Sequence, residues 1–148
     1  MTDRAKTARE NMAEHKGNCA QSVITAFAEE LGLKKDIAYN LAQAFGGGMH
    51  IGSTCGAVTG AYMALGLANP PDNKDPKKHG EQFGAMVAEF NRRFKEKYGD
   101  LNCTDLLGYN LTVPEEAAKA REKGVFAEKC SGFVTDAAKI VEDLLNKS

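Results

Sequence analysis

The sequence predicts an all-α fold, a single-domain bundle of about six or seven helices over residues 1–148. Three observations carry this. Apolar residues recur at three- and four-residue steps along nearly every segment, no stretch sustains strand-like alternation, and glycines close the apolar runs where left-handed helix caps belong. In order, residues 1–16 form a polar amino-terminal helix ahead of a four-cysteine region filling 17–148. Asn18 caps a helix that opens at Cys19 and stops at Leu31-Gly32-Leu33. Residues 36–45 read as a further helix; Thr54 caps the next, which opens at Cys55 and ends at Leu65-Gly66-Leu67. The Asn- and Pro-rich stretch 68–75 is a solvent-exposed connector. Phe83, Val87, Phe90 and Phe94 then stack on one face of a helix from Pro76 to Tyr98, with Gly99 as its stop. Asn102-Cys103 opens a short apolar run that reaches Gly108. Leu111-Thr112-Val113-Pro114-Glu115-Glu116 starts another helix, with proline in the first turn and acids near the positive end, and Gly124 closes it. Val134, Ala138, Val141 and Leu145 stripe the last helix, whose cap lies at or just after Cys130.

Segments 19–33 and 55–67 echo each other, each running from a cysteine to a Leu-Gly-Leu stop, and are expected to pack as antiparallel or pseudo-symmetric partners. Gly56, Ala57, Gly60, Ala61 and Ala64 let another helix approach closely, and a homodimer burying such a face is one expected assembly.

Formal net charge is −1 with 26% charged residues of both signs, which leaves no strong field for nucleic acid or an acidic membrane surface. Neither is an expected partner. The amino terminus is polar with no apolar signal core, and the most apolar run, 57–67, is interrupted by Thr59 and Gly60. No signal peptide or membrane span is expected, and the expected location is cytoplasmic. There the four cysteines are reduced by default, in a chain long enough to build a core without disulfide staples. They point to redox or ligand chemistry.

The residue after an N-cap sits among free backbone N–H groups at the positive end of the helix dipole, where a thiolate is stabilised. Cys19, Cys55 and Cys103 each follow a capping residue, and Cys130 lies between Lys129 and Ser131. Against this stands the ordinary use of cysteine as a small buried hydrophobe. The spacings match no zinc-ribbon, ferredoxin or thioredoxin motif, so the fold must assemble any joint site. If the helices point their amino ends the same way, four sulfurs converge at one electropositive end and are strongly acidified. Such thiolates serve disulfide exchange, zinc ligation or an iron–sulfur cluster alike.

Asn18-Cys19-Ala20-Gln21-Ser22-Val23, Phe45-Gly46-Gly47-Gly48-Met49, Cys55-Gly56-Ala57-Val58-Thr59-Gly60-Ala61, Cys103 and Cys130 together resemble the C_GCAxxG_C_C family of redox-active proteins, from residue 17 onward. The family label places glycine before its second cysteine, where this chain has Thr54. The resemblance implies a small helical prokaryotic protein, frequent in anaerobes, with four characteristic cysteines and a redox role. A related domain in split-Soret cytochromes adds covalent haem; this chain has no Cys-x-x-Cys-His, which argues against c-type haem.

Gly47 to Thr54 approaches a phosphate-binding loop but lacks its lysine and follows a helical segment, so nucleotide binding is rejected. Gly47 and Gly48 suit a helix-to-helix loop needing positive φ, and also admit a ligand or partner sulfur close to Cys55. His50 is a candidate base, metal ligand or proton relay, although an exposed loop histidine is the plainer reading; His15 and His79 lie in polar surroundings. Glu29, Glu30, Glu115 and Glu116 fit helix ends and polar faces, and Tyr62, Met63 and Met86 fit core packing.

The first functional expectation is thiol–disulfide exchange or electron transfer with an unidentified redox partner protein or small thiol, Cys19 and Cys55 acting as nucleophile and resolving thiol and Cys103 and Cys130 as a second pair. The alternative is a module in which the same four cysteines bind zinc or an iron–sulfur cluster. A third reading is a helical interaction protein whose cysteines are structural.

Overall fold

The Phe83–Phe94 stripe sets the longest element. In the computed structural model, which describes residues 3–146, Phe90 and Phe94 are fully buried on helix α5 (Pro76–Tyr98). Each buried ring contributes about 2 kcal/mol of apolar transfer. Asp75 caps this helix, Pro76 occupies its first turn, and Gly99 ends it in the left-handed region at φ 85°. Seven other α-helices accompany it among the described residues: α1 (Asp3–Ala13), α2 (Cys19–Phe27), α3 (Lys35–Leu41), α4 (Gly56–Ala68), α6 (Cys103–Leu107), α7 (Pro114–Glu122) and α8 (Ser131–Asn146). No strand forms among these residues. The extended structure is one isolated antiparallel bridge, Thr54 with Asn102.

The core sits where α2, α4 and α8 meet. α1 covers α2 and α8, and α5 lies along α8 and α4. α2 is the central element because every residue from Ala20 to Phe27 is buried. Its polar members are satisfied: the Asn11 amide donates to the Ser22 carbonyl at 3.3 Å and the Thr25 hydroxyl at 3.2 Å, and that hydroxyl donates to the Gln21 carbonyl at 2.6 Å. On α8, Val134, Ala138 and Val141 are fully buried, as the stripe predicts.

The echoed segments do pack as partners, but in the same sense, not antiparallel. A Cβ on Gly56 would lie 2.9 Å from both the Ala20 nitrogen and the Cys19 Cβ, and one on Gly60 would lie 2.8 Å from the Ala20 carbonyl oxygen and 3.0 Å from the Val23 Cβ. The small-residue face of α4 is therefore used within the chain, against α2, and brings the starts of both helices together. Leu65-Gly66-Leu67 does not stop α4, which runs on to Ala68; the Asn69 side chain ends it by donating to the Leu65 carbonyl at 2.8 Å. The predicted amino-terminal helix spans Asp3–Ala13, its first two residues lying outside the described ones.

Candidate functional site

Four unlike local structures deliver the four sulfurs. Asn18 caps α2 as predicted, and in a full capping box: its side-chain oxygen accepts from the Gln21 N–H at 2.9 Å, and the Gln21 side chain accepts from the Asn18 N–H at 2.9 Å. The Asn18 amide also donates to the Gln43 carbonyl at 3.0 Å, tying the cap of Cys19 to the turn before the glycine loop.

Thr54 is not the cap of α4. Cys55 itself holds that position, because Thr54 is drawn into the bridge with Asn102. The Cys55 N–H donates to the Leu101 carbonyl at 2.7 Å and the Cys103 N–H to the Ser53 carbonyl at 2.6 Å, the two bonds that flank a non-hydrogen-bonded antiparallel pair. Cys103 opens the five-residue α6 after Asn102, whose side chain makes no capping bond. Cys130 stands at no free helix end: it closes a π-helical turn, Phe126–Cys130, that passes directly into α8.

The glycine loop buttresses Cys103. Gly47, Gly48, Met49 and His50 have consecutive φ values of 60°, 64°, 62° and 60°, and the Ser53 N–H closes the turn on the Gly48 carbonyl at 2.9 Å. A Cβ on Gly48 would lie 2.5 Å from the Ser53 nitrogen and 2.8 Å from the Cys103 Cβ, so only glycine fits there. Gly47 reaches the wall of the cysteine cavity. His50 is exposed and outside that wall, with Nε2 3.4 Å from the Gln43 carbonyl oxygen.

All four cysteines line one cavity of about 190 Å³. Met12, Leu107, Leu111, Phe126 and Phe133 supply most of its remaining wall, so the sulfurs face hydrocarbon. Periodicity assigned none of these residues to the site; the apolar Val125-Phe126 directly after the Gly124 stop was the available signal. Phe133 is braced by Tyr98, whose ring meets it edge-on at 4.8 Å and whose hydroxyl donates to Asp136, itself 2.7 Å from the Lys97 ammonium.

The expected general acidification does not occur. Amide donors from Ala57 and Val58 at the start of α4 do favour a Cys55 thiolate, but burial outweighs them and pushes that thiol up to about 12. Burial likewise pushes Cys103 up to about 11. The neighbouring Cys130 sulfur raises Cys19 well above the ordinary thiol value, and Cys19 in turn lowers Cys130; Lys129 adds to the lowering. Cys19 is thus coupled more strongly to Cys130 than to Cys55. Among the described residues no group of three or more His, Cys, Asp or Glu side chains is placed to hold a metal ion. The sulfurs share a chamber without converging on one point.

No described helix is long and apolar enough to cross a membrane. No curated protein and no solved structure matches the chain. Residues 17–144 match the family described as "Putative redox-active protein (C_GCAxxG_C_C)", and the chain belongs to that family.

Proposed function

We propose that the protein is a thiol–disulfide oxidoreductase in which Cys130 is the attacking thiolate and Cys19 the resolving thiol. The shared cavity carries this reading, because it places Cys130, whose thiol is lowered by the neighbouring Cys19 and by Lys129, beside Cys19, which Cys130 raises. In the first step the Cys130 thiolate attacks one sulfur of an incoming disulfide; the new S–S bond forms as the old one breaks, and one thiolate leaves. Cys19 then gives its proton to that leaving thiolate and attacks the Cys130 sulfur, releasing the second half as a thiolate. The protein pair is oxidised by two electrons and the substrate disulfide is reduced to a thiol and a thiolate. The apolar wall keeps water away from the mixed disulfide between the steps.

The test begins with protein isolated without oxygen. Native and denatured intact masses are compared, and the reduced protein is then mixed with hydroxyethyl disulfide. The reading expects equal masses, a loss of two hydrogens on oxidation, and a Cys19–Cys130 cross-linked peptide that Cys130→Ser abolishes. Excess native mass lost on denaturation would favour the zinc or iron–sulfur alternative, and a cross-link joining other cysteines would overturn the assignment.

A further inference from the structure

The cysteine chamber has a neighbour. Its buried lining includes Cys55, Cys103, Cys130 and Phe133, while Met12 and Phe126, like Asn18, Cys19, Gly47 and Leu111, are part-exposed and stand at its rim. The same two side chains line a second hollow of about 300 Å³ on the outer side, between the end of α1 and the π-helical turn that ends at Cys130. There the chemistry changes. Arg9, His15 and Ser131 contribute to the outer hollow, and no acidic residue lines it.

Both basic side chains are available. Among the described residues neither Arg9 nor His15 has a side-chain hydrogen bond or ion pair, and both are exposed. Glu14, beside His15 in sequence, is taken by Lys16 at 2.6 Å. His15 is held near Met12 by the turn that closes α1, where its N–H donates to the Met12 carbonyl at 3.2 Å and its own φ is 54°. Arg9, Met12 and Ala13 share one face of α1, so Arg9 stands one turn from Met12. The Met12 sulfur is itself anchored by the Ser22 hydroxyl at 3.7 Å.

We propose that the outer hollow selects the substrate, a low-molecular-weight disulfide bearing a carboxylate, which Arg9 and His15 hold while the sulfurs pass between Met12 and Phe126 to Cys130. This rests on the thiol–disulfide reading and names its substrate class. The inner chamber, about 190 Å³, is close to cavities that admit a benzene-sized guest, about 150 Å³. It seats a disulfide and a short apolar arm but no peptide-sized group. A chamber walled by hydrocarbon and thiols offers a carboxylate no donor-rich partner, and the outer hollow offers it Arg9 and His15. Bonds and electrons balance as in the two steps above, with the carboxylate unchanged throughout.

The experiment measures second-order rates of oxidation of the reduced protein by dithiodipropionate and by hydroxyethyl disulfide, disulfides of similar size with and without carboxylates. The wild-type protein is compared with Arg9→Gln/His15→Gln, whose changes are on exposed side chains. The ratio of the two rates is expected to fall about fivefold in the variant, the loss of the exposed Arg9 and His15 contacts. High salt should lower the wild-type ratio in the same direction. An unchanged ratio, with both disulfides still oxidising Cys19 and Cys130, overturns the selectivity and leaves the exchange chemistry standing. Failure of both disulfides to oxidise the wild-type protein overturns the exchange reading and the selectivity with it.

Discussion

Cys55 and Cys103 are fixed by backbone hydrogen bonds on either side of the Thr54–Asn102 bridge, whereas Cys19 is placed by the start of α2 and Cys130 by the π turn before α8, and these two thiols influence each other. Cys55 stands opposite Leu101 and Cys103 opposite Ser53, so these two cysteines are diagonal neighbours. One pair is thus tied through its backbone and the other through the elements that carry it. Burial raises both thiols of the first pair, while in the second pair the two sulfurs shift each other in opposite directions. Proximity in one cavity does not make four cysteines equivalent.

The largest test of this contrast is alkaline. The Cys55 thiol is pushed from the ordinary 9.0 up to about 12, so between those values the unfolded chain releases a proton that the folded chain keeps. Its contribution is fully present below pH 9.0, and stability falls as pH rises to about 12, by roughly 4 kcal/mol from this thiol alone. Cys103 acts in the same direction up to about 11. Urea unfolding across this range, compared with Cys55→Ala, measures it. A variant with the same alkaline slope as the wild type would mean that the rigid pair is not the source.

Gly48→Ala attacks the rigid pair at its support. The new methyl group meets the Ser53 backbone and the Cys103 Cβ, at a residue with φ 64°. Crowding and the left-handed backbone together are expected to cost about 3 kcal/mol. Cys103 should then be alkylated faster in the native protein, with Cys19 and Cys130 little changed. Denaturant midpoints and peptide-resolved alkylation read the two effects; equal acceleration at all four thiols would show that the pairs are not mechanically separate.

The same contrast marks what the sequence could show. The Asn18 cap, the α5 stripe and its Gly99 stop, and Pro114 at the start of α7 are local features, set by residues within a few positions of one another, and all form as read. Thr54 fails as a cap because a partner far along the chain, Asn102, claims its backbone neighbourhood. Cys130 misses the helix end because a π turn extends α8 backwards, and no cap residue advertises that. The Ala57 and Val58 donors at the start of α4 act on Cys55 as the helix dipole predicts, but the cost of burying a charge is larger. That cost comes from side chains the sequence scatters between Met12 and Phe133.

The smallest expected effect isolates His50. At φ 60° a non-glycine residue carries about 1 kcal/mol of left-handed strain, which glycine removes. Glycine also raises the entropy of the unfolded chain, worth about 0.5–1 kcal/mol the other way. His50→Gly should therefore shift stability by no more than about 0.5 kcal/mol. Its ring faces the Gln43 carbonyl and is outside the cysteine cavity, so oxidation of Cys19 and Cys130 should keep the wild-type rate and pH profile. A lost or displaced limb in that profile, at unchanged stability, would make His50 the proton acceptor of the site and move the functional contrast from the two cysteine pairs to the loop beside them.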